Sequence, residues 1–562
     1  MALFLNLYDI AENKDALARK NTEGKWTYRT YSTKLGEGVL VFAPQRVNPE
    51  PLKFKLNLTG MHRIYVGLIN LHGQNYGHIK LTYDKYFTGI KPSPPYGNPR
   101  NWSEYEFCEE VFWKCADLTG QDIIIEKANQ NIDHVPAFLW FRCEKMTDEE
   151  IALHEEIIKN KKPLIQAHID IDPLSEFYVE DPDEFNLKLD AIKNANIDFC
   201  IVETWAHRDV FNNGDDYIPN TSYYSRKWQG SKWDFDTIYA PQLKFAKENG
   251  LTLYAATRMS PGLFWGAFHG NKNFFHEHSE FYCVNRDGTS PNVCSYAYPE
   301  VREYMIEDIL FSSKGFAGVS LIFIRGMHIG FEKPVIDRFK SLYPDVDPFT
   351  LPMSDPRLHG VFCSFMNEFM RELRKRLPED MKINVLTDYG LDTSKFMGLD
   401  VETWAKEGLI DSASQCDMET YEDLDGCMDG DVIDLSKYKE KILDHAVIRR
   451  RFSTNPHIVY AHIKEYIALK EKYGIEVYHI LPWVHTLPIP KYKEVIEEMK
   501  KLGAEKFIAW NTNHMVYNLP ELHTVLSIGD EKDEGITESR YIRLLSYEDG
   551  GSTTHHLSSW KG

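Results

Sequence analysis

From Leu164 to Asn511 the chain repeats one unit about eight times: a short apolar run, a polar or aromatic residue at its end, then a stretch of helical spacing. The runs are 164–170 (LIQAHID), 197–205 (IDFCIVETW), 251–258 (LTLYAATR), 318–325 (GVSLIFIR), 382–388 (KINVLTD), 409–417 (LIDSASQCD), 475–483 (IEVYHILPW) and 505–511 (EKFIAWN). Strands buried on both faces read as apolar runs, and strands alternating with helices imply a parallel sheet. Eight such units predict a closed (β/α)₈ TIM barrel, with its active site at the C-terminal ends of the strands. The residues at those ends are Asp170, Glu203, Arg258, Arg325, Asp388, Asp417, Trp483 and Asn511.

With 562 residues the chain is longer than a barrel needs. Residues 1–146 carry short alternating runs punctuated by Gly, Pro and Asn, at 25–32, 37–43, 52–58, 62–70, 78–87, 105–113, 122–127 and 136–145. That pattern predicts a β-sandwich domain ahead of the barrel. Residues 147–161 read as a charged linker helix, 162–525 as the catalytic barrel, and 526–562 as a strand and tail that return to the sandwich. The sandwich has three roles open to it: binding glycan, mediating a homo-oligomer, or covering the barrel.

Helices between the strands are signalled locally. The run 181–184 (DPDE) offers an N-cap, a proline at the first helical position and acidic first-turn residues. Pro299 opens a helix with Val301, Met305 and Ile309 on one side. Phe362, Phe365, Met366, Phe369 and Leu373 mark another. Gly250, Gly408, Gly474 and Gly503 stand where helices hand over to strands. Long connections over 205–235, 259–297, 325–356 and 417–453 all follow strand ends, and loops of that length are usually functional.

A net charge of −20 excludes nucleic acid and anionic membrane as expected partners. No apolar run approaches the roughly 20 residues of a membrane span. The start, MALFLNLYDIAENKD, lacks a basic segment and a small-residue cleavage site, and the nine Cys form no CxxC pair, so the expected location is cytoplasmic. GxGxxG, P-loop and GxSxG motifs are absent, and no cofactor is expected.

Several carboxylates converge on the predicted barrel mouth. Glycoside hydrolysis commonly needs two, one acid and one base or nucleophile. Glu332 and Glu203 are the candidates for the acid, Asp388 and Asp417 for the base or nucleophile. Asp170, Trp205, His207, Arg258, Arg325, His328, Trp483, His485 and Asn511 are candidate substrate-binding residues. An Arg at a strand end can hold an anionic group on a sugar, pair with the catalytic acids, or form a structural pair under the rim. Trp205, Trp265, Trp483 and Trp510 can stack on sugar rings. His168, Asp170 and Asp172 share one strand face and have ligand chemistry, but no HExxH or zinc spacing accompanies them, so no metal is assigned.

The stretches 298–309 (YPEVREYMIEDI), 318–326 (GVSLIFIRG), 330–348 (GFEKPVIDRFKSLYPDVDP) and 400–417 (DVETWAKEGLIDSASQCD) resemble the glycosyl-hydrolase-like barrel proteins related to family ten glycosyl hydrolases. The resemblance implies a barrel acting on glycosides after an N-terminal β-domain, and it names no sugar. Retaining barrel glycosidases of the large clan carry the acid/base at the end of strand four and the nucleophile at the end of strand seven. Here those ends are Arg325 and Trp483, so that arrangement is absent. The leading expectation is a glycoside hydrolase with a carbohydrate substrate. The alternatives are a polysaccharide lyase, a metal-dependent sugar hydrolase or isomerase using His168, Asp170 and Asp172, or a non-catalytic carbohydrate-binding barrel.

Overall fold

The computed structural model describes the chain outside residues 70–76, 93–106, 128–134, 170–185, 205–234, 261–273, 325–327, 388–389, 417–427, 430–431, 434–455, 482–488, 511, 517, 530–539, 549–553 and 557–562. It divides into two compact units, Met1–Lys162 with Asp172–Ile197 and Asn511–Gly562, and Pro163–Ile171 with Asp198–Trp510.

The second unit holds a closed barrel of eight parallel strands. In order they are Ile165–Ile169, Ile197–Glu203, Leu253–Arg258, Gly318–Phe323, Lys382–Thr387, Ser412–Gln415, Glu476–Ile480 and Phe507–Ala509, called strands one to eight below. Pairing of Ile165 with Phe507 closes the ring. The helices between strands follow their sequence signals. Helix Pro356–Arg376 starts with the Asp355 side chain accepting from the Arg357 N–H and ends in Arg374, Lys375 and Arg376, so both ends complement the helix dipole. Gly250, Gly408, Gly474 and Gly503 all take positive φ, between 67° and 101°, just beyond helix ends. The signal at 181–184 lies outside the described residues.

The barrel interior is polar at mid-height. Asn384 on strand five accepts from Ser320 Oγ at 2.7 Å and donates to Ser412 Oγ and Ser414 Oγ, each at 2.9 Å. Ser414 Oγ donates to Gln166 Oε1 at 2.6 Å. Strand one is thereby joined to strands four, five and six across the interior. Each side chain is buried, so each polar atom depends on the others. Asn384→Ala should cost about 3 kcal/mol or more, since it strips partners from several buried hydroxyls at about 1–3 kcal/mol per unsatisfied group. A urea midpoint unchanged from wild type would contradict this.

The first unit contains two sheets. A nine-stranded, mainly antiparallel sheet runs Leu17–Ala18, Trp26–Thr33, Gly36–Phe42, Ala137–Lys145, Met61–Leu68, Phe107–Asp117, Arg540–Glu548, Thr554–His556, with Ala2–Phe4 beside Ala137–Lys145. The C-terminal strand Arg540–Glu548 pairs with both Phe107–Asp117 and Trp26–Thr33, so six of these strands close on themselves. A four-stranded sheet runs Leu52–Phe54, Ile123–Lys127, Gly77–Leu81, Thr88–Ile90. Its Phe54 ring meets Phe141 of the larger sheet edge-on at 5.2 Å.

Two N-terminal runs are shorter than their alternation predicts. The run 52–58 stops at Phe54, and Asn57 beyond it sits in the left-handed region at φ 54°. The run 78–87 stops at Leu81, where the Asp84 side chain accepts from the Leu81 N–H at 2.8 Å in a turn, and the next strand starts only at Thr88.

Residues 147–161 contain the expected helix, Asp148–Lys159, with a capping box between Thr147 and Glu150. Helices Asn186–Ile192 and Leu519–Leu526, which the sequence reading puts inside the 162–525 barrel, belong to the first unit. Asn186 donates to the Tyr86 hydroxyl at 3.3 Å, and His523 packs its ring on Phe112 with centroids 4.8 Å apart.

Candidate active site

Three charged or polar side chains meet at the C-terminal ends of strands one to three. Strand alternation turns His168, two residues beyond the interior Gln166, into the barrel. Glu203 is the last residue of strand two and Arg258 the last of strand three. The Arg258 guanidinium grips the Glu203 carboxylate with both prongs, Nε to Oε2 at 2.8 Å and Nη2 to Oε1 at 2.7 Å. His168 Nε2–H donates to Glu203 Oε1 at 2.7 Å.

The Glu203 side chain is 2% exposed and that of Arg258 11%. Burial alone would raise the Glu203 pKa. The Arg258 charge and the hydrogen bonds from His168 and Arg258 outweigh it and hold the carboxyl at about 2. Glu203 is therefore an ionised anchor for its two partners, and a carboxyl so held has no proton to give as a general acid.

Trp510, directly after strand eight, lies flat on His168, with ring centroids 3.6 Å apart and planes 6° from parallel. It is 1% exposed. One face is taken by the imidazole, which removes Trp510 from the candidate sugar platforms. This stack fixes the ring plane of His168, and Glu203 fixes its Nε2.

Glu332 has a different surrounding. It occupies the N-cap position of helix Lys333–Leu342 yet makes no side-chain cap. Its carboxylate instead accepts from the Ser295 hydroxyl, the Gly330 N–H at 3.0 Å and the Val284 N–H at 3.2 Å. It is 1% exposed and braces the segments at 284, 295 and 330 against one another. Burial pushes its pKa up, against the opposing pull of those hydrogen bonds.

A carboxyl raised in the fold weakens the folded state as pH climbs above the unfolded value of about 4.5. Wild type should therefore lose stability relative to Glu332→Gln as pH rises above the unfolded value of about 4.5. Denaturation midpoints of the two proteins that run parallel above that value would refute it.

His328 is also core. It is fully buried, bonds Met259 O through Nδ1 at 3.0 Å, and packs edge-on against Phe323. Of the residues named from sequence, Glu203 and Arg258 come together, while Glu332 and His328 make separate contacts with other partners. Asp170, Trp205, His207, Arg325, Asp388, Asp417, Trp483, His485 and Asn511 lie outside the described residues. The role of His168 as anchor partner was not read from sequence, where its spacing to Asp170 and Asp172 suggested a ligand set. Its position two residues before a strand end, facing Glu203 on the neighbouring strand, was the usable signal.

No family model matches the chain, and no curated protein matches it. Solved structures similar to it include a chitinase from Bacteroides thetaiotaomicron at 9% identity and TM-score 0.31, covering 66% of this chain and 98% of that one. A ruminal endo-beta-1,4-mannanase is similar at 10% identity and TM-score 0.31, covering 94% and 93%. The N-terminal endo-1,4-beta-D-xylanase 10B of Clostridium thermocellum, complexed with xylohexaose, is similar at 11% identity and TM-score 0.29, covering 90% and 89%. Likenesses of this size carry no argument about activity.

Proposed function

We propose that the chain is a carbohydrate-active enzyme that hydrolyses glycosidic bonds at the C-terminal mouth of the barrel. The observation that carries this reading is the buried, ionised Glu203 clamped by Arg258 and His168 at the ends of strands one to three. Perturbed, charge-paired groups cluster at functional sites, and barrel enzymes keep theirs at this face. Glu203 itself has its oxygens occupied by Arg258 and His168, so it acts as a positioning residue.

The acid and the base or nucleophile then fall to Asp388 and Asp417. Asp388 follows strand five directly, and Asp417 follows strand six by two residues. Strands five and six are hydrogen-bonded neighbours, with Thr387 opposite Gln415. Hydrolysis proceeds by protonation of the leaving oxygen by one carboxyl while the other activates water or attacks the anomeric carbon. Asp170, Trp205, His207, Arg258, Arg325, Trp483, His485 and Asn511 hold the sugar. The N-terminal β-rich unit, whose larger sheet closes on itself rather than forming the open layer of a sandwich, acts as an accessory domain.

The metal-dependent alternative meets one constraint. Because His168 Nε2 is bonded to Glu203, a metal at His168, Asp170 and Asp172 would have to take Nδ1 of that ring. The deciding experiment incubates purified protein with α- and β-linked oligosaccharides and aryl glycosides and measures released reducing ends, with and without chelator. Release that survives chelation supports acid–base hydrolysis. No release from any substrate ends this reading.

A further inference from the structure

One half-buried cation of the barrel unit has no counter-charge. Arg286 lies in the connection after strand three, in a hairpin where the Cys283 N–H donates to Val293 O at 2.7 Å. Its Nε is buried and bonds nothing, and its Nη2 meets only the thioether sulfur of Met353, at 3.2 Å. A thioether is a weak acceptor. The guanidinium stands 5.1 Å from the Phe331 ring centroid. Burial draws its pKa down, and no neighbouring charge opposes that.

Every other arginine described in this unit pairs with a carboxylate, as Arg258 and Arg302 do, or donates to backbone carbonyls, as Arg374 does. Carboxylates are not scarce, because the chain carries 84 Asp and Glu against 64 Lys and Arg. The carboxylate next in sequence, Asp287, is engaged in its own turn. Its Oδ1 accepts from the N–H and the hydroxyl of Thr289 at 2.9 and 2.6 Å.

The surface beside Arg286 is aromatic. Phe331 packs on Phe349 with ring centroids 5.5 Å apart, and Phe349, in the short turn Pro348–Thr350, is 43% exposed. Both residues are held by their backbones. The Phe331 N–H donates to Val284 O at 2.6 Å, and the Asp347 side chain accepts from the Phe349 N–H at 3.1 Å. The connections after strands three and four both leave the C-terminal end of the barrel, the face where barrel enzymes bind substrate.

We propose that Arg286, with the exposed Phe349 beside it, binds a carboxylate or sulfate ester carried by a glycan, so that the substrate is an acidic saccharide. This rests on the reading of the chain as a glycoside hydrolase and names the substrate class. A guanidinium offers parallel N–H donors that match a carboxylate or sulfate, and an exposed aromatic ring takes the apolar face of a sugar. A desolvated cation without a partner lowers stability, and groups kept at such a cost belong to functional sites. With a net charge of −20 the chain repels anions at long range, so recognition here works by contact.

The test is calorimetric titration of the full chain and of Arg286→Met and Arg286→Lys. The probes are trigalacturonate and its methyl ester, a hyaluronan tetrasaccharide, a sulfated galactan tetrasaccharide and its desulfated form, and inorganic sulfate. Wild type should bind at least one anionic saccharide about tenfold or more tighter than the neutral counterpart. The carboxylate and sulfate probes show which anion is read. Arg286→Met should lose the preference and melt no lower than wild type, since it removes an unpaired cation. Arg286→Lys should keep part of it, as a charge without the fork does. If Arg286→Met fails to fold, Arg286→Gln is read in its place. No binding of any anionic saccharide, equal affinity for charged and neutral forms, a preference that survives in the folded variant, or binding of inorganic sulfate alone overturns the proposal.

Anion-dependent binding without release of reducing ends defeats the hydrolytic reading and leaves the anion site standing. Release from neutral glycans with the same KM in wild type and Arg286→Met, without anion preference, defeats the anion site alone.

Discussion

Glu203→Gln is expected to lower stability by about 3–5 kcal/mol, the range for removing one partner of a buried ion pair. The substitution preserves volume but removes the charge that the Arg258 guanidinium grips with both prongs. It also sets an amide N–H₂ against a donor, Arg258 Nε or His168 Nε2–H, where the carboxylate accepted from both. The double variant Glu203→Leu with Arg258→Met should recover much of the loss, because an apolar pair carries no uncompensated charge. Denaturant midpoints at neutral pH measure both, and a double variant less stable than the single would sink the account.

The pH dependence has a definite sign. The Glu203 pKa is depressed to about 2 in the fold, so its contribution is fully present above its unfolded value near 4.5. It is lost as pH falls through that window toward about 2. The stability gap between wild type and Glu203→Gln should therefore narrow on acidification. Glu332 acts in the opposite direction, because burial without a cation raises its pKa.

The barrel was legible because parallel strands buried on both faces leave long apolar runs, and helix ends leave glycines and prolines beside them. Strand-end position alone singled out Glu203 and Arg258. Their mutual grip was one of three roles open to an Arg there, and choosing among them needed the distance between two strand ends. Glu332 looked like a mouth residue because it lies in the long connection after strand four. Its partners Ser295 and the Val284 N–H lie 37 and 48 residues away in sequence, and no local pattern announces them.

The polar barrel interior was hidden for a related reason. Ser412 and Ser414 sit within a run read as apolar, and Asn384 looks like a lone interruption until Gln166 and Ser320 meet it across the barrel. The C-terminal segment reads as a strand returning to the N-terminal domain, but which strands it joins depends on pairings nearly the whole chain apart. Helices 186–192 and 519–526 were assigned to the barrel by order along the chain, which periodicity cannot correct.

Asp388→Asn and Asp417→Asn should each lower kcat on a natural glycoside by about 10²-fold or more, the ordinary worth of positioned acid–base or nucleophilic groups. Glu332→Gln should leave the rate near normal, since its oxygens are engaged with Ser295, Gly330 and Val284. The two Asp variants should then separate on leaving group. A leaving group of low pKa departs without protonation, so the variant lacking the acid recovers bond cleavage on an activated aryl glycoside, while the variant lacking the base or nucleophile does not. That contrast assigns the roles without a bound sugar, and it also tests the Glu203 assignment from the other side. An acid role for Glu203 would require recovery on the aryl glycoside in Glu203→Gln, whereas an anchor of Arg258 and His168 predicts a loss that is equal on both substrates. Near-normal rates in both Asp variants would remove them from the chemistry and leave the barrel mouth without its acid–base pair.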